Sequence, residues 1–463
     1  MRRLAPLLLA GLLYCQAPAV PDETTLSQPA RWLQGYLRLD TTNPPGGEAQ
    51  AAAYLEKLLA EHGIAAQRLI SPGGRANLYA RLRAHPGVDG PALLLLHHMD
   101  VVAAGPGWHT PPFGAVARDG RLFGRGALDD KSLGIAQLAA FVDAARVRGM
   151  LTRDVVLLAV ADEERGSAEG TAWLLQAHPE IFRGVAGVLN EGGANRQVNG
   201  RLLWWGVEVA QKRPLWLEVA ATGRGGHGAG FNPHSATHEL IRALDRLLDR
   251  PLVWRVTPAT RNYLQALAPL HNAHWQPLLL TPDRVIGRDG PKGAGLLPGM
   301  ENLFLDTVQV NVLQGAAQIN VVPPRATARV DVRLLPDTDG EAFLAELRGL
   351  LGKDVEVTVL LTSPPVPPTP TDTPLHRALA AVLRKEGPVV PFFSPGFTDS
   401  RLFRRRGIPA YGFSPFALEP QDLLGIHGAD ERIPLRELDR GVERLRQIVQ
   451  MWCGGGPAPA KRP

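Results

Sequence analysis

Five short segments of the chain carry acidic or imidazole side chains in the order that a two-metal hydrolase needs. They are His98-Met99-Asp100, Asp129-Asp130-Lys131, Asp162-Glu163-Glu164, Asn190-Glu191-Gly192-Gly193 and Ile426-His427-Gly428. Two Zn²⁺ ions about 3.5–4 Å apart take nitrogen and oxygen ligands, share one bridging carboxylate and leave another free as a base. Each segment alone has an ordinary explanation: histidines at a strand end, an aspartate capping a helix, a glutamate pair at an exposed helix start. Five of them in this order point instead to an enzyme, one that hydrolyses an amide bond.

The elements around these segments are those that would gather them. The apolar run 93–96 precedes His98, the run 155–160 precedes Glu163 and Glu164, and the shorter run 187–189 precedes Glu191. Continuous apolar runs of this length suit strands buried on both faces. Helical stretches are expected at 25–38, 48–62, 131–148 and 167–177. Strands alternating with helices indicate a largely parallel, doubly wound sheet of the α/β class, whose ligands gather at the carboxyl ends of the strands. In an extended segment residues i and i+2 point the same way. Asp100 can therefore hold the far nitrogen of His98 and fix its tautomer, while His97 points away. Adjacent carboxylates repel unless a cation or proton neutralises them, so Glu163 and Glu164 are expected to divide the work, one ligating and one taking a proton.

The texture changes near Gln211. Leu215, Leu217 and Val219 alternate with other residues, and so do Val330, Val332 and Leu334, as in half-buried antiparallel strands. With helices at 235–249 and 343–351 and a strand at 355–360, these form an inserted α+β lid domain. Residues 252–316 receive no assignment. The expected organisation is a signal peptide at 1–21, a catalytic domain at 22–210 resumed at 366–453, the lid at 211–365 and a disordered tail at 454–463.

The 463 residues hold 45% hydrophobic and 21% charged side chains, enough for sizeable cores. A formal charge of +5, with no basic run or recognition motif, excludes a nucleic-acid partner. Arg2 and Arg3, the apolar stretch 4–13 and Ala17-Pro18-Ala19 read as a cleaved export signal, so the protein is expected in the periplasm or outside the cell. The stretch is too short for a stable membrane span, and Tyr14 before Cys15 disfavours a lipid anchor. With the signal removed, Cys453 has no intramolecular partner.

The same segments, extended, resemble the M20 metallopeptidases: glutamate carboxypeptidases, aminoacylases, acetylornithine deacetylases and succinyl-diaminopimelate desuccinylases. The similarity is carried by His98-Met99-Asp100-Val101-Val102, Gly124-Arg125-Gly126-Ala127-Leu128-Asp129-Asp130-Lys131, Asp162-Glu163-Glu164, Asn190-Glu191-Gly192-Gly193, Gly226-His227-Gly228, Asn320-Val321-Val322-Pro323, Asp331-Val332-Arg333, Thr398-Asp399-Ser400-Arg401 and His427-Gly428-Ala429-Asp430-Glu431-Arg432. It runs over nearly the whole mature chain. It implies two divalent metal ions, Zn²⁺ first with Co²⁺ and Mn²⁺ as alternatives, bridged by Asp129. One would also take His98 and Glu191, the other Glu164 and His427. Glu163 would be the general base, Asp100 the orienter of His98, and the Asp129–Asp130 peptide bond cis. His227 would stabilise the oxyanion, and Asn320 and Arg333 would hold the substrate. A homodimer through the lid is also implied. Gly228 departs from the family, which usually has serine there. The enlarged 252–316 segment is closer to the carboxypeptidase S and N-acyl-amino-acid hydrolase branch.

The expected substrate is a small peptide or an N-acyl amino acid. Carboxypeptidase, dipeptidase and N-acyl-amino-acid deacylase activities all remain open, as does a non-catalytic binding protein on the same fold. Gly223-Arg224-Gly225-Gly226-His227-Gly228 fits G-x-G-x-x-G, but no acidic residue follows where a dinucleotide site needs one. No G-x-S-x-G elbow is present, so a serine hydrolase is not expected.

Overall fold

The computed structural model describes residues 26–84, 90–287, 289–291 and 299–453. The expected export segment and tail lie outside these residues. A nine-stranded mixed sheet forms the larger part. Its order is Gln67–Ile70, Ala76–Leu82, Val155–Val160, Ala92–His98, Val185–Asn190, Ala410–Gly412, Arg201–Gln211 and Val389–Ser394, with Arg196–Val198 paired beside Arg201–Gln211. Ala92–His98 lies between two parallel partners and aligns Leu93 with Val155 and His98 with Val160. All its residues are buried, as are those of Val155–Val160. Leu93 and Leu95 enter one core and Leu94 and Leu96 the other. Full burial of such a side chain contributes about 1.5–3 kcal/mol. That two-sided burial is why these strands carry no polar alternation.

Helices cover both faces. Lys131–Arg146 and the final helix Leu435–Cys453 bury their apolar sides in one core, with Gln28–Leu37 and Glu48–Ala60. Thr171–Ala177 lies over the other. The helix expected from residue 167 begins only at Thr171. Gly166 and Ser167 have φ of +101° and +70°, a left-handed backbone that no helix accepts. Glu163–Arg165 forms one 3₁₀ turn instead.

After Arg201–Gln211 only Lys212 separates the large sheet from Arg213–Thr222 of a four-stranded antiparallel sheet. Its order is Thr307–Gln314, Arg325–Leu334, Arg213–Thr222, Glu356–Thr362. Helices Ala236–Leu248 and Gly340–Leu351 pack their Leu240, Leu244, Leu344 and Leu347 against Leu217, Val219, Val330 and Val332. Ser235 and Asp339 cap these helices by accepting backbone N–H groups of the first turn.

The expected contiguous lid at 211–365 needs one correction. Between its first two strands the chain returns to the large sheet. Helix Pro258–Leu267, capped by Thr257, sets Tyr263 edge-on to Phe392 at 5.2 Å and near Trp204 at 6.4 Å. Leu264, Leu278, Leu303 and Phe304 join the large core. This segment, unassigned from sequence, braces the edge strand Val389–Ser394. Its Tyr263 finds partners that are distant in sequence on both sides, Trp204 and Phe392, a pairing that no local pattern signals.

Candidate metal centre

The sheet delivers the site from its carboxyl edge. His98 ends Ala92–His98, Glu163 and Glu164 follow Val155–Val160, and Glu191 follows Val185–Asn190. Asp129 comes from the loop that enters helix Lys131–Arg146, and the Asp129–Asp130 peptide is cis. Buried Glu431 grips that loop. Its carboxylate accepts the backbone N–H groups of Gly126, Leu128 and Asp129 at 2.8, 2.7 and 3.0 Å and pairs with Arg125 at 2.7 Å.

Asp129 stands at the centre. Its Oδ1 lies 2.9 Å from His98 Nε2 and its Oδ2 lies 3.0 Å from His427 Nε2. Glu191 approaches His98 Nε2 at 3.9 Å, and Glu164 approaches His427 Nε2 at 3.4 Å. His427 adopts a left-handed φ of +56°, uncommon outside glycine and frequent at functional sites. Two sets of donor atoms, His98/Asp129/Glu164 and His98/Glu163/Glu191, each lie within 4.8 Å of one another. Glu163, expected as the base, thus also stands within ligand range.

His98 is oriented differently from expectation. Its Nδ1 donates to the backbone carbonyl of Asp100 at 2.8 Å, while the Asp100 carboxylate is farther, at 3.5 Å. The carboxylate instead accepts from Asn43 at 2.8 Å and from the backbone N–H groups of Glu163 and Glu164 at 3.1 and 3.2 Å. Asp100 therefore positions the glutamate pair as well as the imidazole. Since a carbonyl only accepts, the Nδ1 proton is fixed and Nε2 faces the cluster. His97 is turned away, buried against Gln137 at 3.1 Å.

The electrostatics ask for cations. Burial raises the pKa of Asp129, but hydrogen bonds from His427 and His98 outweigh it and hold the carboxyl well below its usual range. Glu163, Glu164 and Glu191 are all pushed up, first by burial and then by neighbouring carboxylates. His427 is pushed up to about 10 by Asp129 and Glu164. Among the described residues Glu163 Oε1 and Glu164 Oε1 are buried with no hydrogen-bond partner, a costly state for a carboxylate unless something else satisfies it. Crowded anionic oxygens, two imidazole Nε2 atoms and two orphaned acceptors form a donor set that fits a pair of divalent cations.

The three residues expected to meet the substrate form a separate group. His227 and Asn320 are exposed on a small ribbon, with Gly226–His227 paired to Val321–Val322 and the Gly228 N–H donating to the Asn320 carbonyl at 2.8 Å. His227 Nδ1 accepts from the Ala229 N–H at 3.1 Å. Arg333 closes its fork on Asp331 at 2.6 and 2.9 Å and lies 4.5 Å over the ring of Phe397. No hydrogen bond joins these three residues to the metal-ligand candidates among the described residues.

A family model described as Peptidase family M20/M25/M40 matches residues 94–451. The chain belongs to this family. It is an M20 hydrolase. Similar M20 relatives include aminoacylase-1 of Homo sapiens, 27% identical over 425 residues that cover 89% of this chain and 92% of the relative. The N-fatty-acyl-amino acid synthase/hydrolase PM20D1 of Homo sapiens is 28% identical over 397 residues, covering 80% and 76%. In three dimensions the chain resembles the M20 family metallo-carboxypeptidase Sso-CP2 from Sulfolobus solfataricus, with a TM-score of 0.70, 20% identity, and 92% and 99% covered. Asn43 and Glu431 were not assigned roles from sequence. Glu431 stands in the last motif, but its service to the Asp129 loop, 302 residues away, is a tertiary fact.

Proposed function

We propose that the chain is a two-zinc amidohydrolase that cleaves N-acyl amino acids or small peptides, with Glu163 as general base. The observation that carries this reading is the Asp129 carboxylate, one oxygen on His98 and the other on His427, beside the unsatisfied oxygens of Glu163 and Glu164. His98 and Glu191 would hold one metal, Glu164 and His427 the other, and Asp129 both; Co²⁺ or Mn²⁺ could use the same donors. When bound, such a pair supplies Lewis-acid charge that acidifies water and polarises the scissile carbonyl. Glu163, buried at the end of its strand and held by its backbone N–H to Asp100, takes a proton from water and returns it to the leaving amine. His227, with Nδ1 already accepting, presents Nε2–H as a donor to the developing oxyanion. Asn320 and Arg333 hold the substrate carboxylate, Arg333 by exchanging Asp331 for it.

Phe231 and Ile319, beside His227 and Asn320, are almost wholly exposed. Apolar residues clustered there favour a second copy of the chain as cover, consistent with a lid-mediated homodimer. No described helix is long and apolar enough to cross a membrane, and export through residues 1–21 remains part of the proposal.

The relatives named for acyl-amino-acid chemistry favour N-acyl amino acids over peptides as substrates. The test is hydrolysis by Zn²⁺- or Co²⁺-loaded protein of a panel of N-acyl amino acids and dipeptides. Amine release from N-acyl amino acids above that from dipeptides is expected; cleavage of dipeptides alone would overturn the acylase reading.

A further inference from the structure

Phe397 joins none of the three apolar cores. Its neighbours are charged instead. Arg333 Cζ lies 4.5 Å from the centre of its ring, and Arg401 Cζ lies 4.8 Å from it. Trp216 stands edge-on at 5.7 Å and 61°. Arg333 and Trp216 belong to the four-stranded sheet, and Arg401 to the short helix Ser400–Arg404 on the large-sheet side. We propose that Phe397 is a positioning residue for Arg333: its ring keeps the guanidinium in place while the fork exchanges Asp331 for the carboxylate of the substrate. The inference rests on the reading of Arg333 as the carboxylate-holding residue given above.

Three observations carry this role. First, Asp331 holds Arg333 at Nε and Nη2, at 2.6 and 2.9 Å, and its Oδ1 also accepts from Trp216 Nε1–H at 2.8 Å. A carboxylate arriving at the fork displaces that partner, so during the exchange Arg333 needs a hold that does not use those N–H groups. The attraction of a cation to an aromatic ring is of that kind. Second, the segment bearing the ring is itself fixed from the large-sheet side. Buried Arg401 donates from Nη1 to the Thr398 carbonyl at 2.9 Å and from Nη2 to the Gly166 carbonyl at 3.0 Å. Ser167 Oγ donates to buried Asp399. Residues 397–401 are therefore fastened to the turn that follows Glu163 and Glu164. Third, the two sheets touch at that same turn. A Cβ on Gly166, whose φ is +101°, would stand 2.9 Å from Leu361 Cδ1 on strand Glu356–Thr362. The spacing between Arg333 and the Glu163–Glu164 turn is thus set by packing on both sides of one ring. Leucine at position 397 would fill much of the same volume and lack the attraction. Ordering a long side chain at a binding site costs affinity, so its absence is expected in substrate binding rather than in the chemical step.

The experiment uses the Zn²⁺-loaded full chain with N-acetyl-leucine and N-acetyl-leucinamide, which differ only in the carboxylate. If dipeptides alone are cleaved, leucyl-leucine and leucyl-leucinamide give the same comparison. Phe397→Leu is expected to raise KM for the acid about five- to thirtyfold, with kcat within about threefold of wild type, and to leave the amide nearly unchanged. Phe397→Tyr keeps the ring and should bring KM back to within about twofold of wild type. In an Arg333→Met background the Phe397→Leu effect should vanish, because both residues act on one contact. Independently of turnover, the ketone analogue of N-acetyl-leucine, with CH₂ in place of the amide N–H, should bind the Phe397→Leu protein less tightly by the same factor in calorimetry. Equal losses on acid and amide, or an undiminished Phe397→Leu effect in the Arg333→Met background, would overturn the proposal and mark Phe397 as packing alone. Equal kcat/KM of the wild-type protein on acid and amide would remove the Arg333 reading itself, and the proposal with it.

Discussion

Glu431 accepts the backbone N–H of Asp129 at 3.0 Å while its other oxygen pairs with Arg125. The residue proposed to bridge the metals is thus held in place by a carboxylate from the far end of the chain. The pair is buried, and breaking such a pair from one side costs about 3–5 kcal/mol because the remaining charge stays buried. Glu431→Gln keeps the volume but turns an N–H donor toward donors. It is expected to weaken metal affinity about 10- to 100-fold and to lower the denaturation midpoint. Competition with a chelator of known affinity measures the first, and urea unfolding the second. Unchanged metal affinity would show that the Asp129 loop holds its shape without this anchor.

Glu163→Gln separates proton transfer from metal binding. The amide preserves shape and loses the base, so kcat should fall by at least about 10²-fold while bound metal, measured by atomic emission, stays at the wild-type level. Near-full activity at full metal content would assign the base to another group.

His227→Ala should lower kcat about 10²- to 10³-fold with metal content unchanged, because its hydrogen bond is made mainly in the transition state. A change confined to KM would instead mark His227 as a ground-state binding group.

Lys212, the single residue between the two sheets, is buried, and its Nζ donates to Thr307 at 3.0 Å. Burial brings its amine down to about 8, with Arg333 assisting and Asp306 and Asp331 opposing. Below about 8 both folded and unfolded chains carry the proton, and the folded chain bears the full cost of a buried charge. Between about 8 and 10.5 the unfolded chain holds more protons, so stability rises with pH through that window. Urea midpoints at pH 7.5 and pH 10 should show this rise, and Lys212→Met should reduce it. An identical rise in the variant would place the titration elsewhere.

The buried strands were legible because two-sided burial leaves continuous apolar runs such as Leu93 to Leu96, and their ends located His98, Glu163 and Glu191. The strands of the four-stranded sheet were legible through alternation, as in Arg325–Leu334. Three things were not. Ser167 looked helical by composition, but its positive φ is set by the turn that aims Glu163 and Glu164. Helix Pro258–Leu267 was not assigned because its burial is decided by Phe392 and Trp204 across the fold. Asn43 reads only as the start of a proline turn, yet it donates to both Asp100 and Asp162. Roles of this kind depend on which segments meet, which local pattern does not encode.

The central claim is a pair of metals astride Asp129. Its most direct test is a crystal structure of the Zn²⁺-loaded protein with data collected at the zinc absorption edge. The account predicts two anomalous peaks about 3.5–4 Å apart, one on each Asp129 oxygen, with His98 and Glu191 about one and Glu164 and His427 about the other. A single peak, or two peaks that do not share Asp129, would contradict it.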